Sequence, residues 1–427
     1  MPGGLQRRGI RSLSGFDRQV WLLVVAEIIN VFGTSIIRTF LAIYMFNEMH
    51  VPMGTIGIAL CLTSLAGVVA IYAGGSIADA WGRKTVLVAG LATQVAVYVM
   101  IGIAIQVSVP FLALLVVLAM SSLVEGLYRS VPDAMIADVV EPGKRVEAFS
   151  LVRMGANLGW VIGPVLGGAM LLFAPFCWVF YVAAGTTSVY LLIARFELRE
   201  TRSTGSTEKL SFRDITHIVR DRPFLAFALL GAFMIIPYQQ LYTLLSVYSS
   251  DVVKLDEFWV GALFTLSGAM VVLFQYPLSL MIRNYRLTHV LALSALIFAS
   301  GFAILAVSTV FFIPFVCMAV ATVAEMIWSP ATTTLQANMA PEDRRGRYFG
   351  FAGLFGSLGF ALGPLLGGQL MGTFGEDPST MWVIVGLMFV ACAAGFLVLN
   401  RFVPEKANAP RKSRPEKEKK LEAPIKA

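Results

Sequence analysis

Long apolar runs follow one another along this 427-residue chain, and they constrain its fold more than any other feature. Each run has the length of roughly twenty residues or more that a helix needs to cross a hydrocarbon core of about 30 Å. The sequence therefore predicts an all-α membrane protein with twelve transmembrane helices. The twelve segments lie near residues 20–46, 54–78, 85–107, 110–138, 148–172, 175–196, 223–248, 257–282, 288–308, 311–339, 346–371 and 381–402.

The composition excludes several other classes of protein. Hydrophobic residues make up 57% of the chain and charged residues only 14%, whereas a soluble chain is about a quarter charged. A soluble enzyme, a disordered chain and a secreted disulfide scaffold are therefore excluded. We expect no metal and no cofactor, because no cluster of His, Cys and carboxylate occurs and the cysteines lack C-x-x-C spacing. The cysteines are Cys61, Cys177, Cys317 and Cys392.

The charges predict the orientation of the chain. The first apolar segment is too long for a signal-peptide core of about 7–15 residues, so we interpret it as a retained helix. Lys and Arg concentrate on the side of the N-terminus, and the opposite loops contain only Lys254. This distribution predicts that both termini are cytoplasmic. The predicted domains are a cytoplasmic arm 1–19, a six-helix bundle 20–196, a cytoplasmic linker 197–222, a second six-helix bundle 223–402 and a disordered basic cytoplasmic tail 403–427.

The sequence repeats at an offset of 200 residues. Glu125–Gly168 and Glu325–Gly368 align without gaps, and both begin with a glutamate and end with the string G-x3-G-P-x-L-G-G. An offset of six helices preserves orientation, so the halves are predicted to be parallel repeats about an axis along the membrane normal. Such repeats are typical of alternating-access transporters with a site near the midplane between the halves.

The loop between the second and third segments reads GSIADAWGRK over residues 75–84, which is G-x3-D-x2-G-R-K. Glycines permit a tight turn and close helix approach, an aspartate is favoured at the N-terminus of a neighbouring helix, and Arg83 offers a planar fork to a carboxylate such as Asp138. This loop resembles the signature loop of the major facilitator superfamily. We predict a gating latch formed by Gly75, Asp79, Gly82, Arg83, Lys84 and Asp138, with Arg83 and Lys84 as simple orientation charges as the alternative.

The second copy of this loop is degraded. Gln275, Ser279 and Ile282 stand where the first copy has glycine, aspartate and glycine, while Arg283 persists. The two halves therefore need not gate alike.

The fifth segment is rich in glycine and contains one proline. Small residues let two helix backbones meet, and a proline bends a helix, so we predict a role in helix packing. The pattern resembles the antiporter-associated motif in the fifth helix of the superfamily, although Ser150 stands where that family's first glycine is expected. The residues are Gly159, Gly163, Pro164, Gly167 and Gly168.

Acidic residues within the segments are candidates for proton coupling. An ionised side chain at a helix centre costs about 2.5–3.5 kcal/mol on insertion scales, and such residues usually face a cavity. We predict proton coupling by Glu325, Glu125, Glu27 and Arg129. The alternatives are structural glutamates, including a Glu125–Arg129 pair on one helix face. The stretch from Glu325 to Pro330 resembles the tenth helix of proton-coupled multidrug antiporters of the LmrP and MdtH type, which implies that Glu325 binds a proton or a cationic drug.

Polar and aromatic residues near midspan are candidates for substrate binding. An adaptable apolar cavity suits varied lipophilic compounds. Arg38 either extends toward the interface or lines the cavity. The predicted set is Asn30, Arg38, Asn157, Trp160, Tyr238, Gln239, Tyr242 and Trp328.

Together these features predict a secondary active transporter and no enzyme. The preferred hypothesis is proton-coupled efflux of lipophilic or cationic drugs by alternating access, by a monomer in the cell membrane of a bacterium. Its partners are a small-molecule substrate, protons and the lipid bilayer, with no nucleic acid. The alternatives are an exporter or symporter of one defined metabolite or lipid, and a non-transporting receptor or scaffold.

Overall fold

The computed structural model describes residues 16–141, 144–201, 218–282, 284–341 and 344–408. Twelve helical stretches in this described part are long and apolar enough to cross a membrane, which confirms the predicted fold class. Most of the predicted arm, linker and tail, together with Arg283, lies outside the described residues.

The helices follow the predicted segments closely. Their bounds are α1 Arg18–Asn47, α2 Met53–Trp81, α3 Arg83–Gln106, α4 Phe111–Tyr128, α5 Val131–Val139, α6 Arg145–Leu171, α7 Cys177–Phe196, α8 Arg222–Tyr238, α9 Leu244–Asp251, α10 Glu257–Ile282, α11 Leu287–Leu305, α12 Ile313–Met339, α13 Arg345–Phe374, α14 Pro378–Leu399 and α15 Glu405–Asn408.

Two predicted segments are broken, which corrects their description as continuous. The fourth segment divides into α4 and α5, and Pro132 lies in the first turn of α5. The seventh divides into α8 and α9, joined after Pro237 by a 3-10 turn at Gln239–Leu241. Proline lacks a backbone donor and restricts the residue before it, which explains an interruption at these places. Both breaks occur beside residues predicted to bind protons or substrate.

The chain forms two compact units. The first contains Met1–Val51, Leu62–Ser206 and Asp256–Thr265, and the remaining residues form the second. Within the first unit α1 packs on α6 and α7, and α3 packs on α4 and α7. Within the second unit α11 packs on α12 and α14, and α8 packs on α13 and α14. The start of α2 thus belongs to the second unit, and the start of α10 to the first.

Large apolar side chains cover much of the outer surface. Leu112 is 72% exposed, Val307 is 81% exposed and Phe173 is 91% exposed. Contiguous apolar surface of this kind is unfavourable in water, and in a membrane protein it is the surface that contacts lipid. The exposed side chains therefore support the assignment as an integral membrane protein.

The glycine motif of α6 contacts two helices of the first unit. Gly159 and Gly163 lie against the backbone of α1, where an added Cβ would overlap the carbonyl oxygen of Phe32. Gly167 packs on Ile36, one turn further along α1, and Gly168 faces the start of α10, where a Cβ would overlap a carbonyl oxygen. Only glycine permits backbones to approach so closely.

The second copy of the motif makes the same pair of contacts in the second unit. Gly359 and Gly363 on α13 lie against α8, the counterpart of α1. Gly368 lies against the start of α2, where a Cβ would overlap the carbonyl oxygen of Met53, and Gly57 in turn lies against Pro364. The repeat seen in the sequence is therefore a repeat of backbone packing.

Candidate functional site

An ion pair joins α1 and α4 in the first unit. Arg38 Nη2 lies 3.2 Å from Glu125 Oε1, and the two side chains are 46% and 30% exposed. This differs from both sequence interpretations, because Glu125 takes its cation from another helix instead of from Arg129, and Arg38 turns toward a carboxylate instead of toward the interface. A pairing between residues 87 positions apart depends on how the helices are rotated, which one sequence does not reveal.

Further charges surround Glu27 in the same unit. Glu27 is half-buried on α1, and the charged groups near enough to act on it are Asp133, Arg129 and Glu125. With Arg38, α1, α4 and α5 contribute three carboxylates and two guanidinium groups to one cluster. The break between α4 and α5 follows Arg129 and precedes Asp133. The predicted proton-coupling residues of this unit therefore lie together.

Asn30 and two residues of α6 complete the predicted polar set of the first unit. The buried Oδ1 of Asn30 accepts no hydrogen bond from any part of the chain that the structure describes. Asn157 is half-buried. The ring of Trp160 lies 6.3 Å from that of Phe264, so Trp160 packs on the start of α10.

Glu325 of the second unit lies beside tyrosines. It is half-buried on α12, and its side chain is hydrogen-bonded to the hydroxyl of Tyr238. The hydroxyls of Tyr238 and Tyr242 are 3.0 Å apart, and the rings of Tyr238 and Trp328 are 5.7 Å apart. The buried Nε1 of Trp328 finds no hydrogen-bond acceptor among the described residues. Four predicted residues from α8, α12 and the turn after α8 thus meet at one place.

The two glutamines beside this group are structural. The Cβ of Gln239 packs at Gly363 of α13. Gln240 is fully buried, and its Nε2 donates to the carbonyl oxygens of Ile236 and Gly363 at 2.8 and 2.9 Å. These bonds satisfy backbone groups freed by the break between α8 and α9, as buried polar groups require. The placement of Gln239 therefore favours packing over its predicted contact with substrate.

The loop motif forms a one-residue turn between α2 and α3. Gly82 has φ +98°, which glycine adopts without strain, and α3 begins at Arg83. Arg83 makes the predicted salt bridge with Asp138, and it also donates to the carbonyl oxygen of Ala134. The Arg83 side chain is only 7% exposed. Lys84 Nζ donates to the carbonyl oxygen of Leu198 at 2.7 Å.

The sequence interpretation missed one carboxylate of this loop. Glu200 accepts the backbone N–H of Arg83 at 2.8 Å and that of Lys84 at 3.2 Å, so it caps the N-terminus of α3. Asp79, predicted to lie at such a terminus, is half-buried in the last turn of α2. An acidic residue soon after a membrane segment was the available signal for Glu200, but it looks like any solvated loop charge.

Close helix approach in this motif belongs to a different glycine from the one predicted. A Cβ at Gly75 would meet no described atom within 4 Å. At the adjacent Gly74 a Cβ would overlap the carbonyl oxygen of Leu127 on α4. The prediction of close approach at Gly75 is therefore wrong, because α2 presents Gly74 to α4.

Comparison with known proteins agrees with this architecture. Residues 23–286 and 253–427 match the Major Facilitator Superfamily. The "Na(+), Li(+), K(+)/H(+) antiporter" of Planococcus maritimus is 27% identical over 422 residues, which cover 92% of this chain and 96% of the relative. The "Multidrug resistance protein MdtH" of Escherichia coli is 26% identical over 378 residues, which cover 86% of this chain and 90% of the relative.

Solved structures show the same fold. A POT family transporter in complex with a thioalcohol-conjugated peptide has a TM-score of 0.75 at 14% identity and covers 90% of this chain and 96% of its own. The nucleoside transporter NupG has a TM-score of 0.73 at 17% identity and covers 90% of this chain and 100% of its own. The family match covers most of the chain and confirms the resemblance noted for the loop motif. The chain therefore belongs to the Major Facilitator Superfamily, and it is an integral membrane transporter and not an enzyme.

Proposed function

We propose that this transporter exchanges protons for lipophilic, cationic compounds and exports them by alternating access. The observation that carries the proposal is the hydrogen bond between Glu325 and Tyr238 inside a membrane segment. A hydroxyl donates to a carboxylate and accepts from a carboxylic acid, so this bond has a partner in either protonation state. Glu325 then gains and loses a proton without leaving Tyr238 unsatisfied.

The aromatic rings around Glu325 supply the substrate-binding half of the proposal. Tyr238, Tyr242 and Trp328 present ring faces and hydroxyls beside the carboxylate. A cation placed over such faces is attracted to their negative quadrupole. A cationic compound and a proton would therefore compete for one carboxylate, which is the simplest coupling of the two fluxes.

The charged cluster of the first unit has a complementary role in the proposal. Arg38 remains a cation, so protonation of Glu125 removes their ion pair, unlike the bond at Glu325. Glu27, Glu125 and Asp133 outnumber Arg38 and Arg129 by one charge when all are ionised. That excess would be balanced by a proton or a bound cation, and its loading would rearrange α1 against α4 and α5.

The Arg83–Asp138 salt bridge is the proposed latch. Both residues belong to the first unit, and the pair fixes α5 on the N-terminus of α3. We propose that it breaks and reforms during the cycle, and that Gly75, Asp79, Gly82 and Lys84 support this gating. Two relatives support exchange as the activity, since one is named an antiporter and the other a multidrug resistance protein.

Transport by purified protein in proteoliposomes tests this function. An interior more acidic than the medium should drive ethidium accumulation by the wild type. Glu325→Gln should abolish gradient-driven accumulation but keep exchange of ethidium for ethidium, because that exchange needs no net proton movement. Glu376→Gln, which removes an exposed loop carboxylate of the same unit, is the matched control and should transport normally. Gradient-driven accumulation at the wild-type rate by Glu325→Gln would remove this residue from the mechanism.

A second candidate function is exchange of protons for Na⁺, Li⁺ or K⁺. It is favoured by the name of the Planococcus maritimus relative and by the excess carboxylate of the first unit. The same vesicles decide between the candidates when they contain a pH-sensitive dye. A pH change driven by alkali cations that depends on Glu27 and Asp133, with no ethidium flux, would establish inorganic cation exchange in place of drug export.

A further inference from the structure

A cavity of about 710 Å³ lies in the first unit, on the side opposite the N-terminus. Its volume is typical of small-molecule sites, which occupy about 300–1,000 Å³. The ends of α1, α3 and α6 and the starts of α7 and α10 line it. Glu48 at this level is ten residues beyond Arg38, or about 15 Å along the axis of α1 at the usual helical rise. The cavity is therefore separate from the midspan charges.

Aromatic rings form much of the cavity wall. The rings of Tyr44 and Phe176 are stacked with their centroids 4.2 Å apart, and Trp178 meets Tyr181 edge to face at 5.8 Å. The hydroxyl of Tyr181 donates to Oε1 of Gln106 at 2.9 Å. These contacts hold the rings in place before any ligand arrives, which lowers the ordering cost of binding.

The charged lining residues are all acidic. Glu48 follows the last residue of α1, Glu257 opens α10, and the lining contains no Lys, Arg or His. Carboxylates beside apolar walls focus a negative potential, which concentrates cations.

The surrounding loops extend this negative potential. Lys254 is their single Lys or Arg, and its Nζ lies 3.3 Å from Oδ1 of Asp251. The positive-inside distribution thus leaves this side acidic. The acidic residues of these loops and helix ends are Glu48, Asp251, Asp256, Glu257, Glu376 and Asp377.

We infer that this cavity is a second binding site, which takes a monovalent lipophilic cation of aromatic or quaternary type. The rings of Tyr44, Trp178 and Tyr181 supply faces for cation–π contact, and Glu48 and Glu257 supply the counter-charge. By the predicted orientation the cavity faces the cell exterior, so exported cations pass it on leaving and external cations meet it first. The ligand class is that of the proposed function, but binding at this site requires neither transport nor Glu325.

Equilibrium binding of tetraphenylphosphonium to the full chain in phosphatidylcholine nanodiscs tests the site. Tetraphenylborate has the same shape and the opposite charge, and it should bind at least about tenfold more weakly. The double variant Glu48→Gln with Glu257→Gln should weaken tetraphenylphosphonium binding about tenfold, because two counter-charges are lost. The charge-matched double variant Glu376→Gln with Asp251→Asn removes two carboxylates outside the cavity and should stay within about twofold of the wild type.

A ring variant and a second background separate this site from the midspan residues. Trp178→Leu should weaken binding about threefold by removing a ring face. In Glu325→Gln the component that depends on Glu48 and Glu257 should persist. Equal binding of the borate, unchanged affinity in the Glu48 and Glu257 variant, or loss of all binding in Glu325→Gln would overturn the inference. Unchanged affinity together with normal proton-driven export would reject the cavity site alone and leave the proposed function intact.

Discussion

Asp138 and Asn338 occupy equivalent positions of the 200-residue repeat, and their side chains make different kinds of contact. Asp138 forms a salt bridge with Arg83. Asn338 Nδ2 donates to the carbonyl oxygen of Ala407 at 2.9 Å. The same contrast recurs at nearby helix starts, because a carboxylate caps α3 and an amide caps α11. The first unit thus uses charge where the second uses neutral hydrogen bonds.

The midspan glutamates follow the same pattern. Glu125 meets a guanidinium group, whereas Glu325 meets a hydroxyl. The glycine contacts, in contrast, are alike in both units, since Gly168 and Gly368 each face the carbonyl oxygen of a helix start. Backbone approach tolerates no added atom, but a polar pair is exchangeable whenever each donor keeps an acceptor. The duplicated framework therefore stayed fixed while the polar chemistry of the units diverged.

The largest expected difference between the units comes from breaking the two loop contacts. Arg83→Ala leaves the Asp138 carboxylate, whose side chain is 16% exposed, without its cation. We expect a loss of about 3 kcal/mol, since removing one partner of a buried pair costs about 3–5 kcal/mol. Asn338→Ala should cost about 1 kcal/mol, the net value of one neutral hydrogen bond. Unfolding in one detergent measures both, and equal losses would contradict the contrast between charged and neutral contacts.

The second prediction tests the shared framework. Gly168→Ala and Gly368→Ala each place a Cβ on a backbone carbonyl oxygen, and overpacking of this kind costs about 1–3 kcal/mol. Equal destabilisation is expected in both units. Gly353→Ala is the matched control on α13, because a Cβ there meets no described atom within 4 Å, and it should not destabilise. A large loss in one copy alone would show that the framework has diverged too.

Much of the fold was accessible from the sequence because a bilayer imposes simple rules on it. Segment length gave the twelve helices, and the glycine string gave the repeat and its close packing. The breaks after Tyr128 and Tyr238 were not predicted. Proline is tolerated in many membrane helices, as Pro164 and Pro364 are here, so its presence alone does not locate a break.

The candidate site was only partly accessible. The types of residue were correctly identified, and the pairing of Arg83 with Asp138 followed from the geometry of a guanidinium group near a helix end. The partner of Glu125 was not, because helix rotation decides whether Arg38 or Arg129 reaches it. Glu200 was missed, since its function depends on the position of a loop beside the start of α3.

The third prediction compares the two helix caps. Asn408 Oδ1 accepts the backbone N–H of Thr288 at 3.0 Å at the start of α11, as Glu200 does at the start of α3. Glu200→Gln should cost about 0.5–1 kcal/mol through loss of charge at a helix N-terminus, and this cost should shrink in high salt because Glu200 is exposed. Asn408→Ala should cost about 1 kcal/mol at any salt concentration, because Asn408 is neutral and buried. Unfolding at low and high salt measures both, and a salt-dependent Asn408 variant would contradict this distinction.

The smallest expected effect reverses the contrast, because here the second unit uses charge. Helix α14 begins after Asp377, whose Oδ1 accepts the backbone N–H of Thr380 at 3.3 Å, whereas α7 begins after Phe176 with no side-chain cap. Hydrogen bonds from the Thr380 hydroxyl and backbone lower the pKa of Asp377 below its ordinary value. A lowered folded-state pKa stabilises the helix start above the unfolded pKa of about 4, and this stabilisation is lost as the pH falls through the folded value.

Hydrogen exchange of the first turns of α14 and α7 measures this effect when wild type and Asp377→Ala are compared at each pH. The ratio of the two exchange rates cancels the intrinsic pH dependence of exchange. At α14 the wild type should be better protected at pH 6, and its advantage should fade as the pH drops below about 4. At α7 the ratio should stay at unity throughout. An advantage at α14 that is constant down to the lowest pH would assign it to the shape of the cap instead of its charge, since a protonated Asp377 would then serve equally well.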